Sequence, residues 1–508
     1  MISNISISRK GILLLALASP AALADNTLAD KLFLTRSLYA GNSATVMIGQ
    51  TLPGSAKKAI ADGSYPGVFD NAKQDASFGV TSPIFLDIIT TAGQTVQSLN
   101  LTAMAKGQLT TSFPSKSEMS THLSADGRSV TLMAYVSPVN NLDVSNSNTP
   151  NHVDPTNPVK SSFQRSVVQF DITGKLRATP VNAYSGNNGR SAILANNVNG
   201  TAVNNYYMVG NAGNGSGTPP DFIVSNTGVQ MTTPGGSADT TVIGQHQGVV
   251  GAAKGSQYGF SVAQTGAPDD KSGKDNNYRG ATIFNNTLFV TKGSGGNGIN
   301  TVYQVGIPGL LPTAADAAST QFAILPGFNT TLASIATTGP NPFGLWFAND
   351  HTLYVADEGD GAPADAASSP YAGLQKWVLS DSDHQWHNVY TLQKGLDLGV
   401  DYSVTGGKFA DGAVNHVGTG YSYFPTATDG LRSITGKHNA DGTVTLYGIT
   451  STVSNSGDQG ADPNKLVAIT DKLSFSTAAE AAGESFVTLK TARYGEVLRG
   501  VSLVQGGY

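Results

Sequence analysis

Four arginines stand at equivalent places in a recurring stretch of this sequence. Arg190 precedes Ser191-Ala192-Ile193-Leu194, Arg279 precedes Gly280-Ala281-Thr282-Ile283, Arg432 precedes Ser433-Ile434-Thr435-Gly436, and Arg499 precedes Gly500-Val501-Ser502-Leu503. Met119 and Phe343 hold the same place before Ser120 and Gly344. The residue that follows is small in every copy, as expected of strands crowded around an axis. Guanidiniums gathered there repel one another unless anions lie between them. Their forked donors suit carboxylate and phosphate. The column reads either as an anion-binding funnel or as a set of staples, each arginine tied to a neighbouring carboxylate or loop carbonyl.

The copy with Phe343 runs on into Asp357-Glu358-Gly359-Asp360-Gly361, with Asp365 beyond. Hard oxygens in a glycine-rich loop suit Ca²⁺, with Asp357 and Asp360 as ligands. The same acids could supply a general acid or base, with Asp357 and Glu358 the candidates. Equally, they could answer the arginines as ion-pair partners. Lys292 closes a strand on the same face. Among eight histidines, His122 alone falls in an inner strand, where it is a candidate base or a packed strand residue. His384-x-x-His387 has metal spacing but lies in a polar hairpin turn. No Gly-x-Ser-x-Gly elbow stands out, which disfavours a serine hydrolase. Gly293-Ser294-Gly295-Gly296 and Gly213-Asn214-Gly215-Ser216-Gly217 lead into no helix, so they are loops and not phosphate cradles.

The elements that position these residues are strands. Each copy is a short strand, a turn and an apolar strand. The turns are Asp126-Gly127, Asn199-Gly200, Asn285-Asn286, Asn349-Asp350 and Asp441-Gly442. Third strands are expected at 167–172, 222–225, 302–305, 374–379 and 466–470, with fourth strands at 322–325 and 486–489. The chain ends on an inner strand, 500–504, that lacks its partner. Leu32-Phe33-Leu34-Thr35 near the start matches a second strand, and 84–89 and 96–99 supply the third and fourth. Pairing of the two ends would close a ring and hide its last edges. The expectation is an all-β, six-bladed β-propeller in one domain, 25–508, or seven blades if 233–278 holds another. The long loops, at about 40–82, 137–164, 210–220, 292–300, 357–372 and 451–464, fall on the arginine face.

Composition agrees. Charged residues make up 13% of the 508 residues and there are 59 glycines, against about a quarter charged in ordinary domains. Helical bundles and coiled coils are thereby excluded. The absence of cysteine excludes a disulfide scaffold, a Cys-ligated zinc site and a thiol nucleophile. A net charge of −5 excludes a generic nucleic-acid binder. Residues 1–24 read as a secretory signal: Arg9 and Lys10, an apolar run from Gly11 to Ala21, then Ala22-Leu23-Ala24 before Asp25. The run is too short for a membrane span of about 20 residues. A periplasmic or secreted monomer is expected.

Asn341-Pro342-Phe343-Gly344-Leu345-Trp346-Phe347-Ala348-Asn349-Asp350, followed by Leu353-Tyr354-Val355-Ala356-Asp357, resembles the NHL-repeat and gluconolactonase-like propellers. Asp429-Gly430-Leu431 resembles their Asp-Gly-hydrophobic step. The detailed match spans about 20 residues and speaks for the propeller and not for a subfamily. Metal-dependent lactonases of that group hold an asparagine ligand where this chain has Phe343, and no N-terminal glutamate matches theirs. By the resemblance, Asp429 would be a metal ligand. The chain as a whole also resembles a group of secreted bacterial propellers. The function expected is binding of an anionic small molecule or acidic saccharide in the arginine funnel, as a lactonase, lyase or hydrolase if it is an enzyme. The alternative is a non-catalytic protein-interaction propeller of the cell envelope.

Overall fold

The computed structural model describes residues 28, 30–40, 79–113, 115, 117–214, 220–244, 276–293, 298–333, 336, 338–362, 364–402, 427–453, 463–493 and 495–504. The signal stretch and the heart of the segment read as a seventh blade, 245–275, lie outside them.

The chain is all-β. It begins with β1 (Lys31–Leu38), β2 (Thr81–Thr90), β3 (Thr95–Asn100), β4 (Leu109–Ser112), β5 (His122–Leu123), β6 (Ser129–Val136), β7 (Arg165–Asp171) and β8 (Leu176–Val181). Four four-stranded sheets follow. The first holds β9 (Gly189–Ala195), β10 (Asn205–Gly210), β11 (Gly228–Thr232) and β12 (Thr241–Val242). The second holds β13 (Tyr278–Phe284), β14 (Thr287–Lys292), β15 (Thr301–Val305) and β16 (Phe322–Ile324). In the third are β17 (Pro342–Asn349), β18 (Thr352–Asp357), β19 (Gly373–Leu379) and β20 (Trp386–Leu392). In the fourth are β21 (Thr428–His438), β22 (Thr443–Thr452), β23 (Lys465–Lys472) and β24 (Val487–Thr491). The last strand, β25 (Glu496–Val504), pairs back onto β1, with Lys31 opposite Val504 and Leu34 opposite Val501.

That pairing makes β25 part of a nine-stranded sheet with β1 to β8. The sheet contains two antiparallel runs, β25-β1-β2-β3 and β5-β6-β7-β8, joined through β4. The arrangement is propeller-like. The inner strands β5, β9, β13, β17, β21 and β25 lie side by side, and β25 returns to β5. Hairpin turns follow their sequence. Asn285 and Asn286 both take positive φ, 45° and 53°, as a tight turn between two twisted strands requires.

The core lies between neighbouring sheets and between the two strand runs of the nine-stranded sheet. Phe33, Ile84 and Leu132 fill one layer, Met133, Val167 and Tyr206 the next, and Tyr207, Tyr278 and Tyr303 another. Phe289, Phe347 and Trp386 form a further layer, as do Tyr354, Leu374 and Leu446. Leu32, Leu34 and Ile449 complete the series. Alternate residues of one strand thus serve opposite cores, the period-two logic of a sheet buried on both faces.

One expected third strand is corrected. Residues 221–224 form a single helical turn, and the strand is β11. Pro220 fixes φ for the first turn and lacks the N–H a strand would need. Its carbonyl accepts from Ile223 N at 2.8 Å.

Candidate functional site

The inner strands pack so closely that the small column is a steric need. A Cβ at Gly280 would meet the Phe343 carbonyl, and one at Gly344 the Arg432 carbonyl. The residues just before these contacts therefore gather at one end of the axis. All four arginines are buried there: Arg190 and Arg279 at 1% and 2% exposure, Arg432 and Arg499 at 4%.

Each guanidinium bonds to a loop or to a neighbouring sheet. Arg190 donates from Nε to Ser117 Oγ at 3.0 Å and from Nη1 to the Tyr278 carbonyl at 3.0 Å and to Asn277 Oδ1. Arg279 Nε donates to the Gly293 carbonyl at 2.9 Å. Arg432 Nε pairs with Glu358 Oε2 at 2.9 Å. Arg499 donates to Ser37 Oγ at 3.2 Å, to the Phe113 carbonyl at 2.6 Å and to the Ser115 carbonyl. Lys292 is fully buried, with Nζ on Asn300 Oδ1 at 2.8 Å. Phe343 is buried, and its carbonyl accepts from Thr291 Oγ1 at 2.7 Å.

Two further residues belong to this end that sequence reasoning did not single out. Glu118 accepts Thr111 Oγ1 at 2.6 Å, Ser112 N at 3.1 Å, Asn188 Nδ2 at 3.2 Å and the Tyr135 hydroxyl. Arg165 is fully buried and donates to the carbonyls of Ser145, Ser147, Asn148, Phe163 and Asn187. It thereby staples the loop between β6 and β7. Glu118 was legible as the residue just upstream of the arginine column. Arg165 opens a third strand, and no other third strand opens on arginine. Burial lowers both Arg165 and Arg499 to about 10, and Glu118 pushes each back up. Arg432 is close enough to depress Arg499 further.

The acids stand beside Arg432. Asp357 is fully buried and accepts Asn341 N at 2.7 Å, Gln375 Nε2 at 3.1 Å and Gly359 N at 3.0 Å. Burial pushes its carboxyl up to about 7, and the amide donors from Gly359 and Asn341 oppose the shift. Asp429 accepts Gly361 N at 2.8 Å, and exposed Asp360 accepts Ala362 N at 2.8 Å. Among the described residues no three acidic or histidine side chains form a group able to hold a metal ion. The carboxylates expected around Ca²⁺ are engaged with backbone amides.

His122 is not brought to these acids. It lines a cavity at the other end of the axis, where Nε2 meets Ser191 Oγ at 2.6 Å and Ser120 Oγ at 3.3 Å. Burial lowers its pKa from 6.5 to about 4, so the folded chain holds it neutral. The unfolded chain binds that proton more readily, so this contribution is full above 6.5 and is lost as pH falls toward 4. Urea denaturation of the parent and His122→Gln should show it. The parent's stability relative to the variant shrinks as pH falls through that window, and a pH-independent difference would contradict the assignment.

No family model matches the chain. No curated protein matches it either. A crystal structure of a protein of unknown function from Dyadobacter fermentans is similar over 77% of this chain and 95% of its own, at 10% identity and a TM-score of 0.31.

Proposed function

We propose that this chain is a six-bladed propeller, exported to the periplasm or beyond the cell, that binds an anionic small molecule or acidic saccharide at the arginine end of its axis. The observation that supports this most is the gathering of buried cationic side chains there. Arg190, Arg279, Lys292, Arg432 and Arg499 are all buried at this end, within a chain of net charge −5. Forked guanidinium donors so gathered favour a carboxylate or phosphate over a neutral ligand of the same shape. The enzymatic form of this reading is a lactonase, lyase or hydrolase. Its proton carrier would be Asp357, a carboxyl held where it can give or take a proton near neutrality.

One observation favours the second reading, a non-catalytic protein-interaction propeller of the cell envelope. Every arginine of the column already bonds to a loop or a neighbouring sheet, as a staple would. The two readings separate in melting experiments with D-glucuronate and inorganic phosphate. Both anions should raise the parent's melting temperature by mass action. Arg279→Gln should melt earlier than the parent and bind the anion about tenfold or more weakly, the size of a lost charge-assisted hydrogen bond. If the parent responds to neither anion, the arginines are staples alone.

A further inference from the structure

The cavity at the opposite end of the axis has a different chemistry. It is a half-open cavity of about 250 Å³, and every inner strand from β5 to β25 contributes to its wall. No Lys, Arg, Asp or Glu lines it among the described residues. Its polar groups are hydroxyls, one imidazole and one indole, set among Ile and Leu side chains.

Three of these polar groups, on half-buried residues, make no hydrogen bond among the described residues. His122 spends Nε2 on Ser191 and Ser120, and its Nδ1 has no hydrogen-bond partner among the described residues. The Thr282 hydroxyl and the Trp346 indole N–H likewise have none. They come from three different inner strands, β5, β13 and β17. By contrast, the Ser502 hydroxyl donates to the Thr121 carbonyl at 2.7 Å, and Thr435 Oγ1 accepts Leu503 N at 3.2 Å. Polar groups left over in a concave site, converging from separate elements among apolar walls, are the usual mark of a small-molecule pocket.

We propose that this cavity is a second ligand site, for a neutral polyhydroxyl compound of monosaccharide size. An ion there would lose its hydration and find no counter-charge. A sugar or cyclitol instead offers hydroxyl edges to His122, Thr282 and Trp346 and C–H faces to the aliphatic walls. The site is independent of the arginine end, so each can fail without the other.

The test is calorimetric titration of the full-length mature chain with D-glucose, D-galactose, myo-inositol and glycerol, with tryptophan emission read in parallel. At least one of these should bind saturably. Thr282→Val, which keeps the shape and removes the hydroxyl, should weaken that binding about tenfold, the worth of one hydrogen bond. Trp346→Phe should abolish the emission change and weaken the heat signal. Neither variant should alter D-glucuronate binding at the arginine end. Absence of saturable binding by all four compounds would overturn the proposal. So would binding that Thr282→Val and Trp346→Phe both leave unchanged.

Discussion

Deletion of Lys31–Leu38 is expected to abolish the cooperative unfolding transition of the whole chain. The strand lies between β2 and β25 and pairs with both. Its side chains serve two cores: Phe33 packs with Ile84 and Leu132, while Leu32 and Leu34 pack with Tyr447 and Leu503. Losing each large buried side chain costs about 2–5 kcal/mol, so three of them rival the whole stability of a domain, about 5–15 kcal/mol. The backbone partners on two neighbouring strands are lost as well. Deletion also turns β25 into an open edge, which invites association. Circular dichroism melting of the shortened chain checks this, and a transition like the parent's would refute closure through β1.

Lys376→Met is expected to cost about 3–5 kcal/mol, because removing one partner of a buried ion pair strands the other. Lys376 and Asp471 are both fully buried, with Nζ to Oδ2 at 2.9 Å. Lys376 also donates to the carbonyls of Lys472, Leu473 and Phe475 at 2.9 to 3.2 Å. Asp471 accepts the Tyr390 hydroxyl at 2.6 Å and that of Tyr354. The cluster locks β19 against the turn that follows β23. Adding Asp471→Asn to the methionine variant should recover part of the loss, since no buried charge is then stranded. Denaturant melts of both variants measure the effect. A loss below about 1 kcal/mol, the value of an exposed pair, would contradict it.

The strands were legible where apolar runs met turn residues with a fixed geometry, as at Leu288-Phe289-Val290 after Asn285-Asn286. Pairing of the chain ends was legible from an inner strand without a partner. What escaped has no local signature. Lys376 and Asp471 are far apart in sequence, and only the folded ring brings them together. Leu109–Ser112 stands outside the repeated pattern, yet as β4 it joins two strand runs through β2 and β6. Phe222-Ile223-Val224 has a strand's composition, and Pro220 turns it into helix. The arginine column was visible as a column, and Glu118 only by its place just upstream of it, but the partners of Glu118 and Arg165 were not. Their places depend on loops folding back over the axis.

Calorimetric titration of residues 25–508 with D-glucuronate and with D-glucose tests the proposed anion site at the arginine end of the axis. The acid should bind saturably through Arg190, Arg279, Arg432 and Arg499, and more weakly as salt is raised, because screening reduces the attraction between the charges. Arg279→Gln should weaken D-glucuronate binding and leave any D-glucose heat as it was. Absence of saturable D-glucuronate binding, or D-glucuronate binding untouched by both salt and Arg279→Gln, would contradict an anion site there.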